Sequence, residues 1–223
     1  MTISRRAMLR SLLFSVCLGF GTAHAASGEQ VAQFFRAVQT DDARTVKSML
    51  GTVIDPNQPN PVGGEPALVL ATREGSMSVL AALLDYPGTH VDATAMNGNT
   101  ALMMAAFKHN MPAVETLLAK GAAVNRKGWT ALHYAAASGD NKIAGLLLKK
   151  GARVDAVSPL ASGAYTPLMM AAREGHDATA LLLIDSGANP RLTNSEGLTP
   201  VQLAERAGKD YVATAIAARI KGN

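Results

Sequence analysis

A block of about five residues recurs along this 223-residue chain. Gly64-Glu65-Pro66-Ala67-Leu68, Gly98-Asn99-Thr100-Ala101-Leu102, Gly128-Trp129-Thr130-Ala131-Leu132, Ala164-Tyr165-Thr166-Pro167-Leu168 and Gly197-Leu198-Thr199-Pro200-Val201 align with one another. From Pro66 through Thr100, Thr130 and Thr166 to Thr199 the steps are nearly even, the second being the shortest and the third the longest. Self-similarity at such a period implies a stack of like units, because one such unit cannot bury its apolar face alone.

Each block runs into a small-residue helix marked by Ala105-Ala106, Ala135-Ala136 or Ala171-Ala172. Most then turn at glycine, at Gly75, Gly139, Gly175 and Gly208, and a leucine-rich second helix follows. Threonine before the first helix can accept a hydrogen bond from an orphan N–H, and Pro167 and Pro200 sit in the first turn, where proline costs least. The alanines let paired helices approach closely, and the leucines fill the seam with the next unit.

The stretches Thr130-Ala131-Leu132-His133-Tyr134-Ala135-Ala136, Thr166-Pro167-Leu168-Met169-Met170-Ala171-Ala172, Leu117 to Asn125 and Leu147 to Asp155 resemble the ankyrin repeat family's T-P-L-H-x-A-A opening and its leucine, glycine-alanine ending. The resemblance runs from about Glu29 to the C-terminus. It implies an all-α solenoid of stacked helix-turn-helix units with finger loops, about six units including caps. Approximate units are 28–60, 61–97, 98–127, 128–162, 163–196 and 197–223. Val31 to Leu50 reads as the N-terminal cap and Asp210 to Ile220 as the last helix. The proline-bearing stretch Asp55 to Gly64 is a loop. A short finger is expected at Asn125 to Gly128 and a long one at Asp155 to Tyr165.

The stretch from Met1 to Ala25 reads differently. Arg5, Arg6 and Arg10 precede an apolar stretch, Ser11 to Gly21, and the small-residue pattern Ala23-His24-Ala25. This is the form of a secretory signal peptide, with cleavage expected between Ala25 and Ala26, and the apolar stretch is too short for a stable membrane span. Ser4-Arg5-Arg6-Ala7-Met8-Leu9 resembles a twin-arginine export signal, although an ordinary Sec leader also carries basic residues. The mature domain would be 26–223, in the periplasm, with no stable membrane insertion. Removing three of the 21 basic residues and none of the 17 acidic ones leaves 18 against 17, a net charge of +1. So small a charge gives no field to hold nucleic acid. Cys17, the one cysteine, leaves with the leader, so no disulfide or thiolate metal site is expected.

Chemistry-bearing patterns are missing. His90, His109, His133 and His176 lack zinc-protease spacing, no serine sits in a glycine-flanked elbow, and no phosphate-loop lysine occurs. His133 and His176 read as structural, and His109 takes the place of a turn glycine. Met103-Met104 and Met169-Met170 read as adaptable core filling. The chain is therefore expected to be no enzyme and to need no cofactor. In the ankyrin family the residue before the threonine and the two after the alanine pair tend to face the concave groove. The resemblance thus implies contact by Arg73, Glu74, Phe107, Lys108, Trp129, Tyr165, Arg173 and Glu174. Trp129, beside the short finger, is expected to be open, or else to cover a neighbouring unit. The expected function is binding another exported protein, which the chain stabilises or inhibits, with the monomer as the expected state. The alternative is a periplasmic metal, redox or enzymatic protein exported folded by the twin-arginine route.

Overall fold

A computed structural model describes residues 26–222. The leader, its twin-arginine-like motif and Ala25 lie outside the described residues. All regular structure among the described residues is helical. The helices are α1 (Gly28–Gln39), α2 (Ala43–Met49), α3 (Ala67–Glu74), α4 (Met77–Asp85), α5 (Ala101–Phe107), α6 (Met111–Ala119), α7 (Ala131–Ser138), α8 (Asn141–Lys149), α9 (Pro167–Glu174), α10 (Asp177–Asp185), α11 (Pro200–Arg206) and α12 (Asp210–Gly222). They form six antiparallel pairs, and odd-numbered helices stack on odd, even on even. The fingers project between pairs, and a 3-10 turn at Leu160–Ser162 sits in the longest. No described helix is long and apolar enough to cross a membrane.

The threonines act where the sequence places them. Thr100, Thr166 and Thr199 accept the N–H of Met103, Met169 and Gln202 at 3.3, 3.3 and 3.4 Å. Pro167 and Pro200 open their helices. Buried alanines line the inner row: Ala71, Ala105, Ala106, Ala135, Ala136, Ala171, Ala172 and Ala204. With no bulk beyond Cβ, they bring neighbouring helices close enough for Leu68, Leu102, Leu132 and Leu168 to pack as one continuous core.

The N-terminal cap begins earlier than the apolar spacing implies. Ser27 and Gln30 form a reciprocal capping box that starts α1 at Gly28, an S-x-x-Q signal preceding the first apolar residue. Asp42 caps α2 by accepting from Thr45 N at 3.1 Å. Asp41 does something the sequence did not disclose. Its backbone is left-handed, with φ at 57°, and its carboxylate accepts Val79 N at 2.9 Å, capping α4 of the next pair. Ser76, at the start of α4, makes no such bond itself.

Turn glycines serve both backbone and packing. Gly139 has φ at 76°, and a Cβ there would lie 2.5 Å from the His176 ring. His176 rests on that turn with Nε2 3.1 Å from the Ala137 carbonyl. One unit on, Tyr211 repeats the arrangement, its hydroxyl donating to the Gly175 carbonyl at 2.7 Å. His109 adopts the left-handed turn without being glycine, with φ at 56°, and its Nδ1 lies 3.1 Å from Asp140.

A candidate recognition pocket in the concave groove

His133 anchors the middle of the stack. Its Nδ1 lies 3.2 Å from Thr130 N and 2.9 Å from Thr130 Oγ1, and its Nε2 lies 3.0 Å from the Tyr165 carbonyl in the next unit. Because the Thr130 N–H donates to Nδ1, Nε2 carries the proton and donates onward. Burial pushes the imidazole down to about 4, against hydrogen bonds to the Tyr165 and Ala156 carbonyls that favour the charged form. The ring is therefore neutral and structural. Met103 and Met169 occupy the same place in their own units. Both are buried, with sulfur 3.5 and 3.4 Å from the N–H of Thr100 and Thr166. The thioether stands in for the imidazole acceptor, which is why methionine replaces histidine there.

Around His133 the aromatic residues converge. The Trp129 ring meets His133 edge-to-face at 5.1 Å and Tyr134 at 6.2 Å. Phe107 meets Tyr134 at 6.1 Å with the planes at 90°. The Tyr134 hydroxyl donates to Asn99 Oδ1 at 2.5 Å, which fixes the ring. Between Phe107 on α5 and Arg173 on α9, the corresponding residue of α7 is Ala137. That small side chain leaves a hollow of about 420 Å³ lined by Phe107, Trp129, Tyr134, Ala137, Met170, Arg173 and Glu174, with His133 at its base. Arg173 and Glu174 pair at 2.8 Å, so the wall they form is internally neutral.

The eight residues singled out from the sequence divide into groups. Phe107, Trp129, Arg173 and Glu174 share this pocket. Arg73, Glu74 and Lys108 line a separate hollow beside His109, where Arg73 is held by Glu65 and Glu74, each at 2.8 Å. Tyr165 does not lie on an open stripe. It is only 8% exposed, with the Arg173 guanidinium 4.9 Å above its ring, because the long finger folds it inward through Ser158. Nor is Trp129 open: its ring lies half-buried on His133 and Tyr134 and packs against the core. Phe107, 45% exposed, is the accessible ring. Tyr134 escapes a reading of the sequence because it occupies the helix position where other units hold the buried Leu70, Met170 and Leu203 and the half-buried Met104, all aliphatic or thioether side chains. Among the described residues, no three His, Cys, Asp or Glu side chains gather as metal ligands would.

Family models for ankyrin repeats match residues 34–127, 87–158 and 165–195. The chain is 34% identical over 155 residues to the mouse nuclear factor NF-kappa-B p105 subunit, covering 66% of this chain and 16% of that protein. It is 33% identical over 199 residues to human SH3 and multiple ankyrin repeat domains protein 2, covering 73% of this chain and 11% of the relative. Similarity to the human transient receptor potential cation channel subfamily A member 1 is 29% over 160 residues, 68% and 14% of the two chains. The chain thus spans a small fraction of each relative's length. Ankyrin repeats in general bind other proteins, and with the six-pair stack and the recurring threonine-to-alanine openings above, the chain belongs to the ankyrin repeat family.

Proposed function

We propose that this chain acts in the periplasm as a monomeric binding protein for another exported protein, which it stabilises or inhibits by holding it in the concave groove. The observation that carries the reading is the pocket of Phe107, Trp129 and Tyr134, an aromatic hollow open to the groove with no unpaired charge in its wall. Aromatic rings set in a desolvated recess are where binding energy concentrates at protein interfaces, so the pocket suits a bulky apolar side chain of the partner. The leader-like stretch from Met1 to Ala25 supports the compartment.

The test is affinity for a partner recovered from a periplasmic extract, measured for the wild type and Phe107→Ala. Loss of an interface ring of this kind costs about 2 kcal/mol or more, roughly 30-fold in Kd. Phe107 is the better probe than Trp129, because Trp129 also supports the core. Unchanged affinity with the helical signal intact rules the pocket out as the contact.

A further inference from the structure

The finger loops form a second surface beside the groove, and the first two tips, through Val62 and Met96, share a hollow of about 570 Å³ with Arg36 on α1 and Arg73 on α3. Single exposed apolar residues on a protein surface need no explanation. Here they are not scattered. Six large apolar side chains are exposed among the described residues, and four of them are on fingers: Val62 at 82%, Met96 at 85%, Val157 at 50% and Leu160 at 75%.

Contacts tie these fingers into one edge. A Cβ on Gly64 would lie 2.6 Å from the Met96 sulfur, which sets the first tip against the second. Arg126 Nη1 donates to the Gly98 carbonyl at 3.2 Å, joining the third to the second. A Cβ on Gly128 would lie 3.3 Å from Pro159, joining the third to the fourth. Across the four tips, residues 61–63, 95–98, 125–128 and 157–163, no acid occurs, while Arg126 and Lys127 stand in the short third finger. Asp55, Asp92 and Asp155 lie at the finger bases, where they accept the backbone N–H of Asn57, Ala123 and Asn189. Arg153 adds a third cation by donating to the Arg126 carbonyl at 3.0 Å. Neither Arg126 nor Lys127 has an acidic partner among the described residues. The fifth tip breaks the pattern with Glu196, which is paired to Arg206.

We infer that the first four finger tips form an edge that docks reversibly on an anionic bilayer surface. Single aliphatic side chains on separate protruding loops can each enter the interfacial region, and unpaired Arg and Lys between them meet anionic headgroups. Protein hot spots favour tryptophan and tyrosine and hold little leucine or valine, and the four tips carry neither of those aromatic residues. The edge therefore fits lipid better than a folded partner. It spans nothing, and it leaves the aromatic pocket of Phe107, Trp129 and Tyr134 to its own ligand.

The experiment is flotation of the protein recovered from the cell envelope with vesicles of phosphatidylcholine alone or with one-third phosphatidylglycerol. The wild type is expected to float with the anionic vesicles and to lose most of that binding in high salt. Changing Val62, Met96 and Leu160 together to Ser should weaken partitioning on the order of 100-fold, since each tip gives up its apolar burial. Arg126→Glu with Lys127→Glu keeps the tips but reverses the charge. It should abolish the preference for phosphatidylglycerol, and it serves as the second probe if the triple variant melts lower. Two results overturn the inference. One is a wild type that does not float. The other is a triple variant that keeps its fold and floats as well as the wild type, which places the contact elsewhere in the chain. Loss of affinity for a captured protein by the triple variant, with no vesicle binding by the wild type, would assign the edge to a protein partner instead.

Discussion

Acid should loosen this stack at one histidine. His133 is buried and neutral when folded, with its imidazole pushed down to about 4 from the ordinary 6.5. Below about pH 6.5 the unfolded chain takes up a proton at this ring and the folded chain does not. Stability is therefore complete above the unfolded value and is lost as pH falls toward 4. Each pH unit in that window costs about 1.4 kcal/mol, so the loss is about 2 kcal/mol at pH 5 and about 3 kcal/mol at pH 4. Neighbouring units supply the control, because Met103 and Met169 fill the same site without titrating. His133→Met keeps an acceptor near Thr130 N and gives up the ring's bonds to the Tyr165 and Ala156 carbonyls, of which the Tyr165 carbonyl still accepts Ser158 N at 2.9 Å. Urea unfolding followed by helical circular dichroism, run on both proteins at pH 7 and pH 5, isolates the effect, since every other titrating group is common to the two. The wild type should lose about 2 kcal/mol more than the variant across this interval. An equal loss in both proteins would refute the neutral, desolvated assignment of His133.

Other expectations follow from the turns, the leader and the pocket. Ala164 sits in the left-handed region at φ 52°, so Ala164→Gly should raise stability by about 1 kcal/mol, read as a higher melting temperature. Gly139→Ala combines positive φ with a Cβ only 2.5 Å from the His176 ring, so it should cost about 2 kcal/mol or more in the same assay. N-terminal sequencing of the protein from its native host should begin at Ala26, and an intact leader on most molecules would defeat the export reading. Arg5→Lys with Arg6→Lys should block export if the twin-arginine route is used, and normal export would assign the Sec route. Phe107→Ala should weaken partner binding while lowering the melting temperature less than Trp129→Ala, because Phe107 is the more exposed of the two rings.

The repeat alone determined the fold class. Threonine at the helix start, alanine where helices touch and leucine in the seam each have a local physical reason, and the same reasons recur at every step. The turn glycines marked where first helices stop, while the caps made by Ser27 with Gln30 and by Asp42 with Thr45 emerged only in the structure. What only the tertiary structure decided depends on neighbours one unit away in the stack, well beyond the reach of any local pattern. Asp41 caps α4, which no reading of its own helix pair reveals. Tyr165 looks like a groove residue by position, yet the long finger and Arg173 enclose it. Tyr134 looks like core by position, yet it lies in the pocket wall. The reason is Ala137: a residue too small to fill its own place on the inner row opens a hollow between Phe107 and Arg173, and only stacking brings those two to its sides. Periodicity fixes which side of a helix a residue occupies, while the sizes of residues in adjacent units decide whether that side is covered or open.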